Sequence, residues 1–481
     1  MSGTPELTQA YWSLEASRPA YERAGGFYDG TVSEFHASPR VQRLLQKYRL
    51  RDMDSFNFAH IPVDAVADKL YINNLTSGVS AVDAVIEDIW DVNELGLEAP
   101  ILHRNVCKFG DAYVFVWPSA DADGEDITGV DMIVEDPVSV RVFYDLVNPR
   151  KKTHAIKSWC EGQGAERTTY AFMYYPDRVE RYAYKGRVTK SDKGQDKWEP
   201  YTADGQEAVI ENPLGFVPFY HFRTDRPYGV PEHINAYGPQ LTLNKLVTSH
   251  VSTIDYQSFP QRYTLAEAGT TGPNYQQGEV DPFSPEDADS DPESMGTASQ
   301  LEADPATVWE LFNVREAGQF DAADAAVFLE PFDRYIKAMS QTTSTPFHEF
   351  DSTGDAVSGE SRRQTNEAFY SKVSARQMSI GFTWGQLFVD VLGFLGLDVD
   401  RVDTVWRPVV PAESLTDVES LNLKRALGVP DEVLLIEMGY AATQVANWRT
   451  ASVVDATGPV VAIEDDPTMT SDSDQVSEPT E

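Results

Sequence analysis

The residues of this chain that could do chemistry are few and scattered. His348-Glu349-Phe350-Asp351 places an imidazole and two carboxylates within four positions, ligand types that divalent cations take. They sit on a short polar link with no second ligand cluster beside them in sequence, so no metal is assigned there. Asp121, Asp123, Glu125 and Asp126 form a second set of hard-cation ligand types. They lack the glycine and the distal glutamate that a calcium-binding helix–loop–helix places next. The chain has no GxxxxGK[ST] phosphate loop, no GxSxG, no HExxH and no paired CxxC, so the commonest nucleotide, acyl-transfer and zinc chemistries have no anchor. Cys107 and Cys160, both in largely apolar contexts, read as buried small hydrophobes. A cluster of Asp and Glu assembled from distant segments, as a metal-dependent nuclease would need, is the one catalytic arrangement that spacing leaves open. The expectation is therefore no enzyme and no cofactor.

The charge balance narrows the partners. With 39 Lys and Arg against 76 Asp and Glu, the formal net charge is −37 over 481 residues. Such a chain does not bind DNA across its surface by counterion release. Two compatible explanations stand: a carboxylate-rich surface adapted to a halophilic host, or a surface that repels nucleic acid. The length exceeds one ordinary core and implies two or three domains or one multi-part subunit. The most apolar window, Phe382 to Leu397, is interrupted by Asp390 and by Gly385, Gly393 and Gly396, so no membrane span is expected. The first residues show no secretory signal.

The elements that must position these residues fall into three stretches. The first, to about Leu75, reads as helical. Pro19 and Gly25-Gly26 divide its opening into two short helices, and a further helix is expected at Val41 to Tyr48. Helices follow at Val63 to Leu70, Val79 to Asn93 and Glu98 to Lys108. The second stretch is β-rich: Ala112 to Trp117, Val130 to Val134, Ser139 to Tyr144, His154 to Trp159, Thr168 to Tyr175, Arg178 to Tyr184 and Phe216 to Phe222, the last an edge strand because of Pro218. Lys185 to Gly205 is a polar hairpin tip or loop. The third stretch is helical again. A helix runs from Pro231 to about Tyr256, kinked or begun at Gly238-Pro239. An insert, Phe259 to Asn313, carries an acidic core at Asp281 to Glu293. A helix resumes at about Ala317 with a kink at Pro331, a polar link follows Thr342, and the longest helix spans Glu360 to Leu395. A strand at Arg401 to Val410 and short helices at Leu415 to Leu427, Asp431 to Met438 and Ala441 to Ala446 precede an acidic, disordered tail.

Several phrases of this sequence, in this order, resemble the portal proteins of tailed double-stranded DNA viruses, in the siphovirus style. They are Phe27-Tyr28-Asp29-Gly30; Asn57 to Pro62 followed by Val63-Asp64-Ala65-Val66-Ala67-Asp68-Lys69-Leu70; His103 to Gly110 with Ala112-Tyr113-Val114; Glu135-Asp136-Pro137; Val217-Pro218-Phe219-Tyr220-His221-Phe222; and Phe259-Pro260-Gln261-Arg262. Gly359-Glu360 then opens a helix carrying Lys372, Arg376 and Gln377, and Leu427-Gly428-Val429-Pro430 and Met438-Gly439-Tyr440 close the series. The resemblance covers roughly Tyr11 to Trp448. The acidic insert is longer than the family pattern, and the C-terminal part is short.

The resemblance implies an α+β fold: an elongated subunit with a mixed α/β wing, paired stem helices, a small α/β clip, a long wing helix and a small helical crown. By position, residues 1–228 would be the wing, 229–258 the first stem helix, 259–313 the clip and 314–340 the second stem helix. Residues 341–358 would be the tunnel loop, 359–397 the long wing helix, 398–460 the wing remainder and crown, and 461–481 the acidic tail. It implies a homo-oligomeric ring of about twelve at one capsid vertex, assembled in the host cytoplasm, through which double-stranded DNA is packaged and later ejected. Terminase, major capsid and scaffolding proteins and a head–tail adaptor would be the partners. The tunnel loop would present Thr342, Thr343, Ser344, Thr345, His348, Glu349 and Asp351 to DNA. Lys245 and Lys337 would be the basic residues of the channel wall, with inter-subunit salt bridges as their other reading. Asp281, Glu286, Asp287, Asp289, Asp291 and Glu293 would serve docking at the clip. A different head–tail connector, a minor capsid protein, or a metal-dependent nucleic-acid-processing enzyme are the competing readings.

Overall fold

The computed structural model describes residues 5–32, 56–120, 127–188, 197–202, 207–258, 262–266, 314–319, 329–350, 359–409 and 415–437. Helix α1 spans Pro5–Asp29 and is followed by α2 (Ile61–Ala67), β1 (Ile72–Thr76), α3 (Ser80–Val92) and α4 (Leu95–Phe109). Strands β2 (Asp111–Ala120), β3 (Ile127–Glu135), β4 (Val140–Tyr144), β5 (Lys152–Glu161), β6 (Thr168–Tyr174), β7 (Arg178–Lys185), β8 (Glu199–Pro200), β9 (Val209–Glu211) and β10 (Phe219–Arg223) come next. Helix α5 (Tyr237–Ser258), strands β11 (Arg262–Ala266) and β12 (Val314–Gln319), helix α6 (Leu329–Thr343) and the long α7 (Gly359–Phe394) follow. Strand β13 (Asp403–Trp406) and helices α8 (Leu415–Ala426) and α9 (Asp431–Glu437) complete the described elements. The fold is α+β.

The largest hydrophobic core is built on α7. Its face of Phe369, Val373, Ile380, Trp384, Leu387, Phe388 and Val391 is buried against Leu102 and Val106 of α4, Ile86 of α3 and Tyr220 and Phe222 of β10. The three- and four-residue steps of that stripe are what a helix buried along one face requires. Gly381 and Gly385 let β13 lie directly on α7: a Cβ on Gly381 would stand 2.3 Å from Thr404 Oγ1, and one on Gly385 2.5 Å from the Val402 carbonyl oxygen. Strand β13 in turn pairs antiparallel with β1, so residues some 330 positions apart form one ribbon.

Two further sheets flank this core. Strand β2 lies between β10 and β3, so β10 is an edge strand, and the Pro218 carbonyl still accepts from Val116 N–H at 2.9 Å. Strands β4 to β8 follow one another by neighbour pairing, with β9 also on β7. Alternate residues of β5 to β7, Ile156, Ala171, Met173, Tyr182 and Tyr184, pack under Leu7, Tyr11 and Leu14 of α1.

The expected break in α1 is corrected: one helix of 25 residues runs through Pro19 and Gly25-Gly26. The lost N–H and ring clash cost about 3 kcal/mol. Buried side chains on both sides outweigh that cost, with Tyr11 and Leu14 before the proline and Tyr21, Ala24 and Phe27 after it. Gly25 brings the helix within contact of Phe109. Helix α4 likewise starts three residues before the expected Glu98, so Pro100 lies inside it.

Helices α5 and α6 pair. Leu243 of α5 packs with Ile336 and Met339 of α6, over Phe27 and Ala59, and the Asn235 amide donates to the Thr342 carbonyl at 3.3 Å beside their shared end. Gly238-Pro239 marks the true start of α5, where the missing proline N–H is an orphan in any case. The expected helix from Ala317 is corrected: Val314–Gln319 is strand β12, paired antiparallel with β11 from Arg262↔Gln319 to Ala266↔Val314. Residues 320–328 lie outside the described part, and α6 starts at Leu329. Pro331 falls in its first turn, where proline is tolerated. The expected elements at Val41 to Tyr48 and Ala441 to Ala446, and the tail 461–481, lie outside the described residues.

Candidate functional site

A cluster of buried polar groups lies where the chain enters α5 and leaves α6. Helix α4 ends at Gly110 in a left-handed conformation, φ +87°. The chain passing Gly229 lies so close that a Cβ on Gly110 would stand 2.6 Å from the Gly229 carbonyl carbon, and one on Gly229 1.9 Å from the Gly110 oxygen. Two glycines are therefore required at this crossing. Backbone bonds from Thr224 N–H to the Gly110 carbonyl and from Glu232 N–H to the Cys107 carbonyl, both 2.9 Å, fasten it.

Asp111 follows immediately, fully buried, and accepts three hydrogen bonds of 2.7 Å: from Tyr21 O–H of α1, from His221 Nε2–H of β10 and from Gly229 N–H. Tyr144 O–H of β4 donates to His221 Nδ1 at 2.8 Å. Both imidazole nitrogens are then satisfied with the ring neutral. Burial lowers the affinity of His221 for a second proton, against the pull of the Asp111 carboxylate. Burial alone would raise Asp111. The donors His221, Gly229 N–H and Tyr21 outweigh it and hold the carboxyl below its ordinary value. This knot ties α1, β2, β4 and β10 to the chain entering α5.

One step further, Glu232 is buried and held by two cations of α7. Lys372 Nζ lies 2.8 Å from one of its carboxylate oxygens, and the Arg376 guanidinium binds the other. Arg376 also donates to the Thr224 carbonyl at 2.8 Å. Lys372 also donates to the Thr343 carbonyl at 3.0 Å, so one lysine of α7 connects the segment leading into α5 with the end of α6. A buried carboxylate is tolerated only with such partners.

The sequence-derived site residues divide sharply. Thr342 and Thr343 belong to α6, not to a loop, because Thr343 Oγ1 caps the helix end by donating to the Met339 carbonyl at 2.7 Å. Thr343 and Thr345 are buried, 3.0 Å apart between hydroxyls, so neither offers a hydroxyl to a ligand in this chain. Ser344, at φ +51°, makes the turn between them and is exposed. His348 and Glu349 are exposed on a short 3-10 helix, Phe347–Glu349, with imidazole and carboxylate 3.6 Å apart. Lys337 is exposed on α6 and lies over the Phe347 ring at 5.7 Å, which brings this lysine and the link together. Lys245 is exposed on α5. Asp351, the residues expected to dock partners, Asp281, Glu286, Asp287, Asp289, Asp291 and Glu293, and the acids Asp121, Asp123, Glu125 and Asp126 lie outside the described residues. Among the described residues no group of three His, Cys, Asp or Glu side chains is placed to hold a metal ion, and no helix is long and apolar enough to cross a membrane. Both cysteines are free. Cys107 is buried as expected, whereas Cys160 is exposed near the end of β5 beside Arg167.

Sequence reasoning missed the Asp111–His221 and Glu232–Arg376 pairs, whose partners are 110 and 144 positions apart. The only sequence signal was the four-residue step from Lys372 to Arg376, which puts both cations on one helix face.

No family model and no curated protein matches the chain. Three solved structures similar to it come from gene transfer agent (GTA) particles. A chain from the neck of the empty GTA particle, computed with C6 symmetry, is 12% identical with a TM-score of 0.41, covering 84% of this chain and 95% of that one. Chains from the virion of the native GTA particle and from its neck, computed with C12 symmetry, are each 13% identical with a TM-score of 0.40, covering 88% of this chain and 99% of those.

Proposed function

We propose that this chain is the subunit of a portal ring at one capsid vertex, a passive channel for double-stranded DNA and a docking platform for terminase and then a head–tail adaptor. The observation that carries the reading is the helix pair. Helix α5 leaves the wing, extends ~33 Å over its 22 residues, gives way to the β11–β12 ribbon, and the chain returns along α6 to the same junction. Repeated around an axis, such pairs form a tube wall by helix packing, with the ribbon at the far end and the wing outside.

The charge supports a channel rather than a binder. Each phosphate contact adds affinity and so resists sliding, and a subunit of net charge −37 supplies few. The exposed Lys245 and Lys337 are the attractive points on the wall, and Glu349 with Asp351 keeps the link at its end acidic. The Glu232 clamp makes the junction rigid, so that force on the helix pair is carried into α7. In this reading the chain is a virion component and turns over no substrate. Electron micrographs of the purified chain, from low to multi-molar salt, test it. Rings with an axial hole and no magnesium-dependent DNA cleavage are expected. Single irregular particles at every salt, or robust cleavage, would count against it.

A further inference from the structure

A group of unpaired positive charges lies at the end of β4. The Arg141 guanidinium stands 3.7 Å over the Tyr228 ring, and that of Arg223 4.7 Å over the Tyr144 ring. The exposed Arg226 is close enough to act on the Tyr144 hydroxyl. The turn from β4 to β5 adds Arg150 and Lys151, both exposed. Among the described residues none of these five cations forms an ion pair with a carboxylate, although the chain holds 76 Asp and Glu.

The acids at this end do not cancel them. Asp111 is buried and committed to its three donors. The Asp145 carboxylate turns inward, accepting the N–H of Val147 at 2.7 Å and of Asn148 at 2.9 Å. Asp225 is exposed and accepts the Arg226 N–H at 2.7 Å. Farther across the sheet, Asp177 is paired with Arg178 at 3.0 Å and Glu6 accepts from Tyr175 O–H at 3.0 Å. This end is therefore positive in a chain of net charge −37.

The same turn carries Leu146 and Val147, 101% and 94% exposed, the most exposed large apolar side chains among the described residues. Hydrogen bonds hold it in one shape. Besides the two to Asp145, the Asn148 side-chain oxygen accepts the Arg150 N–H at 3.2 Å. The Lys151 N–H reaches the Asn148 carbonyl and the Asp145 N–H the Lys151 carbonyl, both at 2.9 Å. Two aliphatic side chains are thus held out in water just ahead of two cations, and binding has little left to order.

A partner must offer the complement, aliphatic side chains followed by carboxylates. Duplex DNA has the charge but nothing for Leu146 and Val147. The chain itself carries such a stretch, with Val460, Val461 and Ile463 directly before Glu464, Asp465 and Asp466. No basic residue follows Arg449, so no like charge opposes its approach. The other acidic stretches outside the described residues, 121–126 and 281–293, contain no Val, Leu or Ile. Val460 follows Glu437, the last described residue, by 23 positions. That contour of up to roughly 75 Å does not confine the segment to α9.

We infer that the β4–β5 turn is the docking site for residues 460–466 of this chain. Leu146 and Val147 take Val461 and Ile463, and Arg150, Lys151 and Arg226 face Glu464, Asp465 and Asp466. The contact straps the C-terminal segment to the β-rich part of the fold. It does not depend on the portal reading and holds for a single chain or a ring.

Amide exchange of the full-length protein at low salt, where charges are least screened, tests it. One variant joins Arg150→Glu to Lys151→Glu, a second joins Glu464→Lys, Asp465→Lys and Asp466→Lys, and a third combines both sets. Unchanged exchange in β5 and β6 checks the fold. Residues 461–466 are expected to exchange about tenfold faster in the first two variants than in wild type, with protection regained in the combination. Leu146→Ser is expected to speed the same residues without altering charge. Exchange of 461–466 at the unprotected rate in wild type would overturn the inference. Protection that ignores the turn substitutions, or that the combination fails to restore, would overturn it as well. Wild type that binds duplex DNA through Arg150 and Lys151 while 461–466 stay unprotected would make the turn a phosphate site instead. Ring closure is read separately from mass, so failure here leaves the portal reading standing.

Discussion

Replacing Glu232 with glutamine removes one charge from a buried site whose two cations remain. Losing one member of a buried ion pair costs about 3–5 kcal/mol. Here the cost falls at the low end, about 3 kcal/mol, because Arg376 keeps the Thr224 carbonyl at 2.8 Å and Lys372 the Thr343 carbonyl at 3.0 Å. The pairwise part is separable. In a cycle of Glu232→Gln, Arg376→Gln and the double variant, the coupling is expected at about 1–2 kcal/mol, since the two groups touch and Lys372 still serves whichever remains. Urea unfolding of the four proteins measures it. Amide exchange at the start of α5 and the end of α6 reports whether the loss is local, and faster exchange there is expected in both single variants. Single variants within about 0.5 kcal/mol of wild type, or strictly additive effects, would refute the view that this clamp holds the helix pair to α7.

His103 predicts a pH dependence. Its ring is neutral, donating from Nδ1 to the Leu70 carbonyl at 2.7 Å and accepting from Trp384 at Nε2, and burial pulls its pKa from 6.5 to about 4. A base depressed in the folded state takes its proton first in the unfolded chain, so its contribution is complete above about pH 6.5 and is lost as pH falls towards 4. The loss reaches roughly 3 kcal/mol. A melting series from pH 7 to 4 should fall less steeply in His103→Gln than in wild type, and parallel curves would contradict the assignment. Gly110→Ala places a Cβ on a left-handed residue against Gly229, and is expected to cost more than about 2 kcal/mol in chemical unfolding; a change under 0.5 kcal/mol would deny the close crossing. Changing Glu349 and Asp351 together to lysine is expected to leave assembly intact but impair DNA packaging, and unchanged packaging would remove the link from the channel.

Much of the architecture was legible in sequence because it depends on local pattern. The stripe from Phe369 to Val391 on α7, the alternation along β5 to β7 and the edge character of β10 at Pro218 all follow from periodicity and from proline's missing donor. What failed depended on partners far away in the chain. Pro19 reads as a break until the sheet under Leu14 and the contacts of Phe27 are known. Val314–Gln319 reads as the start of a helix until Arg262–Ala266 lies beside it. Thr343 and Thr345 read as a hydroxyl-bearing loop, but their hydroxyls close the end of α6 and bond each other. The junction was the least legible part, since nothing near Asp111 or Glu232 announces His221 or Arg376. The glycines at 110 and 229 gain meaning only where the two segments cross.

The central claim is that copies of this chain close into one ring, and the mass of the assembly in solution tests it most directly. Mass photometry of the purified chain across salt concentrations should reveal a discrete species near 640 kDa, about twelve times the 53.6 kDa subunit, growing as salt screens the acidic surface. A single peak at 53.6 kDa under every condition, or an open ladder of masses with no preferred closure, would contradict it.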